Sequence, residues 1–421
     1  MSKTSLALSN LRGVVILVVV AFHSCIAYLA WHPQSARSFD TPPYDWTGMP
    51  IIDGARWLGF DLFCALQYLY LMQLMFFLSG LFVWPSLVRK GSRKFLRDRL
   101  VRLGLPFVLG VYLLMPVFYY PAYRATAVDP GWSAFWSHWM ALPFWPSGPL
   151  WFLWVLLVLN FAAAALHALS PRADDWLGDL AARADAHPRA AFLALIAGSG
   201  VAYVPMAALF EPWQWTSWGP FSFQPSFLPQ YVIYFFAGLT AGAQGLGQGL
   251  IRSDGALARR WLLWLAGVPV GFFLWMVPTA LIVNGQAAIL PGLPVLADLG
   301  FVLASATSCM AFVALFLRFA TGRRPILDSL SENAYAIYVV HYGFVVWLQY
   351  SLLGLATFAM VKAAIVFTGS VLMSWAVAAA VGRIPLGSRA VRMAHGRVSA
   401  PAPVPRTRPP GRGGGDPPVP S

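Results

Sequence analysis

Two residues near the start of the chain have side chains and spacing suited to chemistry. Arg12 and His23 both lie in the apolar stretch Leu11 to Trp31. Ionisable groups inside a lipid-spanning segment are costly and commonly mark a substrate path or a proton relay. Eleven residues advance a helix by about three turns plus 20°, so the two side chains share one face. At about 1.5 Å per residue they stand roughly 16 Å apart, the arginine near a membrane surface and the histidine near mid-bilayer. A histidine so placed can act as a general base, provided its imidazole is neutral and a partner orients it. The competing reading is a histidine bonded to a neighbouring helix for packing alone. An arginine on the same face favours chemistry.

His341 is the second intramembrane histidine, at the end of SENAYAIYVVH. Its segment begins near Glu332 at the expected cytoplasmic surface, which again places the imidazole close to mid-membrane. A catalytic and a structural role stand level for it, and sequence does not say whether its helix meets that of His23. The basic loop SLVRKGSRKFLRDRLVRLGLPF supplies Arg97, Arg99 and Arg102 just before Pro106. Arginines there can hold phosphates through charge-assisted pairs. Most of the loop's charge suits a topology anchor on anionic lipid. Ser79-Gly80 is a small pair fit for close helix approach or for admitting a bulky ligand. Asp61, Gln73, Asn160 and Asp298 are weaker signals, suited to bonding helix to helix. The chain holds no P-loop, GxSxG, HExxH or CxxC pattern.

The elements that must position these residues follow from composition. Of 421 residues, 58% are hydrophobic and 11% charged, far below the roughly 25% charge of a soluble domain. This excludes an ordinary water-exposed surface and predicts an all-α polytopic bundle. Ten spans are expected, at 11–31, 60–84, 103–121, 149–169, 190–210, 228–249, 261–283, 295–319, 334–356 and 359–381. The net charge of +13 is not one nucleic-acid-binding patch. Arginine and lysine gather in the loops after spans two, four, six and eight. The intervening loops carry only Arg37, Arg56 and Arg124. That alternation predicts both termini in the cytoplasm. The long first span, interrupted by a histidine, reads as retained rather than cleaved. The three cysteines, Cys25, Cys64 and Cys309, fall in apolar runs and form neither a disulfide framework nor a metal cluster.

Residues 1–385 are expected to form one integral membrane domain. Residues 386–421, rich in Pro, Gly and Arg without apolar period, form a disordered cytoplasmic tail. The expected outer loops, 31–59 and 211–229, are crowded with Trp, Tyr, Phe and Pro. Such rings anchor a protein at the lipid surface or stack on the C–H faces of sugars, and the anchor role is the commoner one.

Several stretches together resemble a known family. LRGVVILVVVAFH, with Arg12 and His23 in an R-x10-H pattern, resembles the signature of the acyltransferase-3 family of membrane O-acyltransferases. MFFLSGLF around Ser79 is similar to its FF-x-SG motif, and FLRDRLVRLGLP to its arginine-rich segment. GPLWFLWVLLVL, containing Trp151, resembles its W-[FYH]-L span. YVIYFFAGLTAG and SENAYAIYVVH, with Tyr338 and His341, resemble later segments in the same order. The resemblance covers about residues 6–385 and is nearest to the glucan-biosynthesis protein C subgroup, which esterifies periplasmic glucans with succinyl groups. Many members carry an acidic residue where Ser9 stands, so a carboxylate orienting Arg12 must come from elsewhere.

The resemblance implies an enzyme of a bacterial inner membrane. It would move an acetyl or succinyl group from cytoplasmic acyl-CoA to a hydroxyl of an envelope glycan or similar acceptor. Acyl-CoA is then a co-substrate, with no permanently bound cofactor and no metal. His23 would be the base and Arg97, Arg99 or Arg102, with Arg12, the phosphate partners. His341 or Tyr338 would donate to the oxyanion. The alternative is a proton-coupled transporter with a His23–His341 relay, although no paired broken spans in matching halves support it. Membrane lipid, acyl-CoA and the acceptor are the expected partners, and the sequence sets no oligomeric state.

Overall fold

The computed structural model describes residues 2–31, 38–285 and 290–383. Arg37 and the expected tail at 386–421 lie outside the described residues. Thirteen helices are named here: α1 (Lys3–Cys25), α2 (Leu58–Gly80), α3 (Val83–Lys90), α4 (Ser92–Arg124), α5 (Trp132–Ala141), α6 (Trp151–Leu169), α7 (Ala173–Ala186), α8 (Pro188–Leu209), α9 (Leu228–Ala243), α10 (Trp261–Val283), α11 (Leu293–Phe319), α12 (Pro325–Ser351) and α13 (Ala359–Arg383). An all-α, multi-pass bundle is what results. Each expected span has a helix, and eight of these are long and apolar enough to cross a membrane. The other two are α9, with 16 residues, and α12, whose first half carries Asp328, Ser331, Glu332 and Asn333. One element was not expected, a hairpin pairing Thr216–Trp218 with Phe221–Phe223 around Gly219.

Two helices begin well before their apolar runs. The Ser2 side chain accepts from the Ser5 amide, and α1 therefore starts eight residues ahead of the expected span. Arg12 thus stands inside the helix rather than at its start. Asn10, fully buried, donates to the Ala320 and Gly322 carbonyls at 2.6 and 2.9 Å. It satisfies acceptors in the turn that follows α11. In α12, Pro325 takes the first helical position, where its missing N–H costs nothing. Glu332 consequently lies two turns into the helix. α1 packs against α2, α11, α12 and α13, which makes it the centre of the bundle.

Prolines in α4 decide how it is tied to α12. A proline inside a helix leaves the carbonyl four residues earlier without a donor. Pro106 does this to Arg102, where the helix passes through a π turn at Leu100–Gly104, and the Tyr335 hydroxyl donates to that carbonyl. Pro121 does it to Val117, whose carbonyl accepts the Trp347 indole at 3.0 Å. α12 thus answers the irregularities of α4 from both ends.

α2 and α9 meet backbone to backbone. A Cβ on Gly80 would overlap the Phe235 carbonyl, and Cβ atoms on Gly238 and Gly242 would overlap those of Phe77 and Leu81. Gln73 and Gln230 bond across the same crossing at 2.9 Å. Gly80 therefore serves close approach. Gly238→Ala is expected to lower stability by about 1–3 kcal/mol, since carbonyls cannot move aside as a flexible side chain can. Thermal unfolding in detergent measures it, and an unchanged midpoint would refute the close crossing. Of the other polar residues, Asp61 accepts from the Ala30 and Trp31 amides, and Asn160 bonds within its own helix to Leu156.

Candidate active site

α1 and α12 run side by side. Ser9 donates to Ser331 at 3.0 Å, and a Cβ on Gly13 would sit 3.0 Å from the Leu327 carbonyl. Ser9, where an acid was the family expectation, is thus bound to a hydroxyl. Further along the crossing the two histidines meet. Nε2 of His341 is 3.3 Å from Nδ1 of His23, with ring centroids 5.1 Å apart.

The surrounding acceptors assign the protons. Nδ1 of His341 lies 2.7 Å from the Tyr338 carbonyl, which can only accept, so this nitrogen carries a hydrogen. Its Nε2 then offers a lone pair to His23. Nδ1 of His23 lies 2.9 Å from the Val19 carbonyl and also carries a hydrogen, shared between Val19 and His341. The Nε2 of His23 is left with a lone pair and no partner among the described residues. His341 is fully buried while His23 is only half-buried, so the free nitrogen belongs to the more accessible ring. Such a pair has one oriented base and one orienting acceptor.

The backbone under His23 is also held. α1 ends at Cys25 and tightens into a 3-10 turn at Ile26–Tyr28. The buried Gln349 donates to the His23 and Ser24 carbonyls at 2.9 and 3.3 Å. Beside the pair, Tyr342 sets its ring edge-on to His23 at 5.3 Å. Tyr119 faces Tyr342 at 5.7 Å and donates to the Thr47 carbonyl at 2.6 Å. Neither tyrosine nor Gln349 stood out in the sequence. Tyr342 directly follows His341, which was a usable signal.

Toward the start of α1 lies a group of cations. The Arg12 guanidinium sits over the Phe82 ring at 5.2 Å, and its side chain is exposed. Arg99 sits over Phe95 at 4.8 Å, close enough to Arg102 and Arg12 for their charges to act on it. Arg102 is half-buried, and its Nε is buried without a partner. Arg12, Arg99 and Arg102 form no ion pair among the described residues. The nearby Asp98 is taken by Lys90. Three unpaired guanidiniums in reach of one another suit a polyanion. Arg97 is exposed and makes none of these contacts.

The remaining sequence candidates lie elsewhere. Ser79 is half-buried in α2 and makes no side-chain hydrogen bond among the described residues. Trp151 is packed among Phe76, Tyr231 and Trp215, not against the histidines. Glu332 is exposed and forms no ion pair among the described residues. Tyr338 supplies its carbonyl to His341, while its hydroxyl donates to the Pro149 carbonyl. The aromatics of the two Trp-rich loops divide. Trp46 is buried, stacked on Phe39 at 4.1 Å and edge-on to Tyr119, whereas Trp31, Trp57, Trp213 and Trp218 are exposed. An unforeseen buried ion pair joins Lys362 of α13 to Asp53 of the loop between α1 and α2.

Fold and site describe a multi-pass membrane protein with an oriented histidine in the bundle and, toward the start of the same helix, Arg12 grouped with Arg99 and Arg102 of α4. A family model described as an acyltransferase domain matches residues 5–379, and the chain belongs to this acyltransferase-3 family. No curated protein and no solved structure matches the chain.

Proposed function

We propose that this acyltransferase is a membrane-bound O-acyltransferase of a bacterial inner membrane. It takes an acetyl or succinyl group from cytoplasmic acyl-CoA and esterifies a hydroxyl of an envelope glycan. The observation that carries this reading is the His23–His341 contact, which leaves one lone pair, on Nε2 of His23, for an incoming hydroxyl.

The nucleotide end of acyl-CoA lies against Arg12, Arg99 and Arg102, at the end of α1 expected to face the cytoplasm. About 16 Å of helix separates Arg12 from His23, a span for the extended pantetheine arm. The acceptor hydroxyl arrives from the outer side and gives its proton to Nε2 of His23. Its oxygen bonds to the thioester carbon. The carbon–sulfur bond then breaks, and the leaving sulfur takes that proton from His23, so ester and thiol form and the base is restored. A thioester is already an activated donor, and every proton in the sequence is accounted for by His23. The family does not favour the transporter alternative.

Release of free thiol from acetyl-CoA or succinyl-CoA by the purified chain, dependent on a β-glucan oligosaccharide, tests the proposal. Proton-driven flux through reconstituted vesicles without acyl-CoA would overturn it. Arg99→Gln and Arg102→Gln are each expected to raise KM for acyl-CoA by about 10-fold or more, the worth of a charged hydrogen bond. Arg97→Gln is expected to leave it unchanged. An equal rise in KM for the oligosaccharide would indicate misassembly instead.

A further inference from the structure

Attack on a thioester places negative charge on the carbonyl oxygen, and hydrogen-bond donors fixed in advance must meet it. The two residues that sequence reasoning offers for this are occupied. The Tyr338 hydroxyl donates to the Pro149 carbonyl, and Nδ1–H of His341 to the Tyr338 carbonyl. Tyr342 sets its ring edge-on to that of Tyr119 at 5.7 Å, and the Tyr119 hydroxyl donates to the Thr47 carbonyl.

A set of donors near Tyr342 has no partner among the described residues, in the turn Ser147–Gly148–Pro149 that leads into α6. Ser147 is 1% exposed, and its hydroxyl is buried without a partner. The Gly148 amide donates no hydrogen bond among the described residues. Gly148 has φ +47°, and a Cβ there would stand 2.9 Å from the Met115 sulfur, 3.1 Å from the Tyr119 hydroxyl and 3.5 Å from the Tyr342 ring. The turn therefore lies beside the ring that itself sits edge-on to His23. It is held by Tyr338 at Pro149 and by the Leu150 amide, which donates to the Ser147 carbonyl at 3.0 Å. Buried hydroxyls normally find partners, so one left unpaired this close to an active-site base calls for a ligand or a functional reason. A base needs to lie about 3 Å from the hydroxyl it deprotonates, and an oxyanion donor about 3 Å from the oxygen it stabilises. The two belong on opposite sides of the reacting carbon. Here Tyr342 links them: its ring centroid is 5.3 Å from that of His23, and its edge is 3.5 Å from where a Cβ on Gly148 would stand.

The geometry points to Ser147 as a catalytic residue, its hydroxyl joining the Gly148 amide to donate hydrogen bonds to the thioester oxygen as that oxygen becomes an oxyanion. The assignment rests on the acyl-transfer reading of His23. Neither donor gives up its proton, so the reaction balances as before.

Steady-state thiol release from acetyl-CoA or succinyl-CoA, with a β-glucan oligosaccharide as acceptor, is the test on the purified full chain. Ser147→Ala should lower kcat by about 10²–10³-fold, the effect of removing one oxyanion donor, with KM for acyl-CoA unchanged. Ser147→Thr, which keeps the hydroxyl, should recover most of that loss, and both variants should unfold at the wild-type temperature. Wild-type kcat in Ser147→Ala, an equal loss in Ser147→Thr, or a change confined to KM overturns the assignment. His23→Ala is measured alongside. If it is inactive while Ser147→Ala is fully active, only the donor role of Ser147 fails. If His23→Ala is active, or the wild type releases no thiol from either donor, the acyl-transfer reading fails and this one with it.

Discussion

His23→Ala is expected to lower acyl transfer by about 10²–10⁴-fold, the usual contribution of a positioned general base. The variant should still insert and fold, because the interactions that hold this end of α1 are made by the backbone. Gln349 bonds the carbonyls of residues 23 and 24, not the imidazole. His341→Ala should have a smaller effect. It removes one acceptor for Nδ1–H of His23 but leaves the Val19 carbonyl at 2.9 Å to hold the same tautomer. The order matters more than either number. If His341→Ala proved as damaging as His23→Ala, with KM values unchanged, His341 would be the proton acceptor and the assignment of protons would be reversed. Thiol-release kinetics on purified variants of equal thermal stability decide it.

The second large effect is on stability. Lys362 contacts both oxygens of Asp53 at 2.9 and 2.7 Å, with side chains only 2% and 4% exposed. The Asp53 amide also donates to the Ala27 carbonyl at 3.0 Å, and its carboxylate accepts from the Ala55 amide at 2.8 Å. One ion pair thus ties the loop after α1 to the first turn of α13. Lys362→Met should cost about 3–5 kcal/mol because the carboxylate stays buried without its counter-charge. The double replacement Lys362→Met with Asp53→Asn should recover most of that loss, since no net charge is then left inside. Fluorescence-monitored unfolding in detergent measures both. A single variant as stable as wild type would show that water reaches the pair.

Part of this protein is written in composition and spacing alone. Low charge and long apolar runs force helices, since no other open structure satisfies its backbone in lipid. The alternation of arginines predicts an orientation, and the separation of Arg12 from His23 puts both on one side of α1 whatever surrounds that helix. The prolines of α4 are visible too, and with them the carbonyls they must orphan.

Which partner answers each of these features is a property of the tertiary structure. The meeting of His23 with His341 depends on α1 lying beside α12, a contact between residues 318 positions apart. The helix starts shifted because Ser2 and Pro325 act on backbone geometry that hydropathy does not sense. Arg99 and Arg102 separate from Arg97 only once Phe95 and Tyr335 fix the helix around its π turn. Ser147, an ordinary serine in a loop by its neighbours in sequence, becomes notable only when folding buries its hydroxyl and leaves it unpaired. Local pattern decides which groups enter the membrane. Packing across distant segments decides which of them keep a free proton donor or a free lone pair.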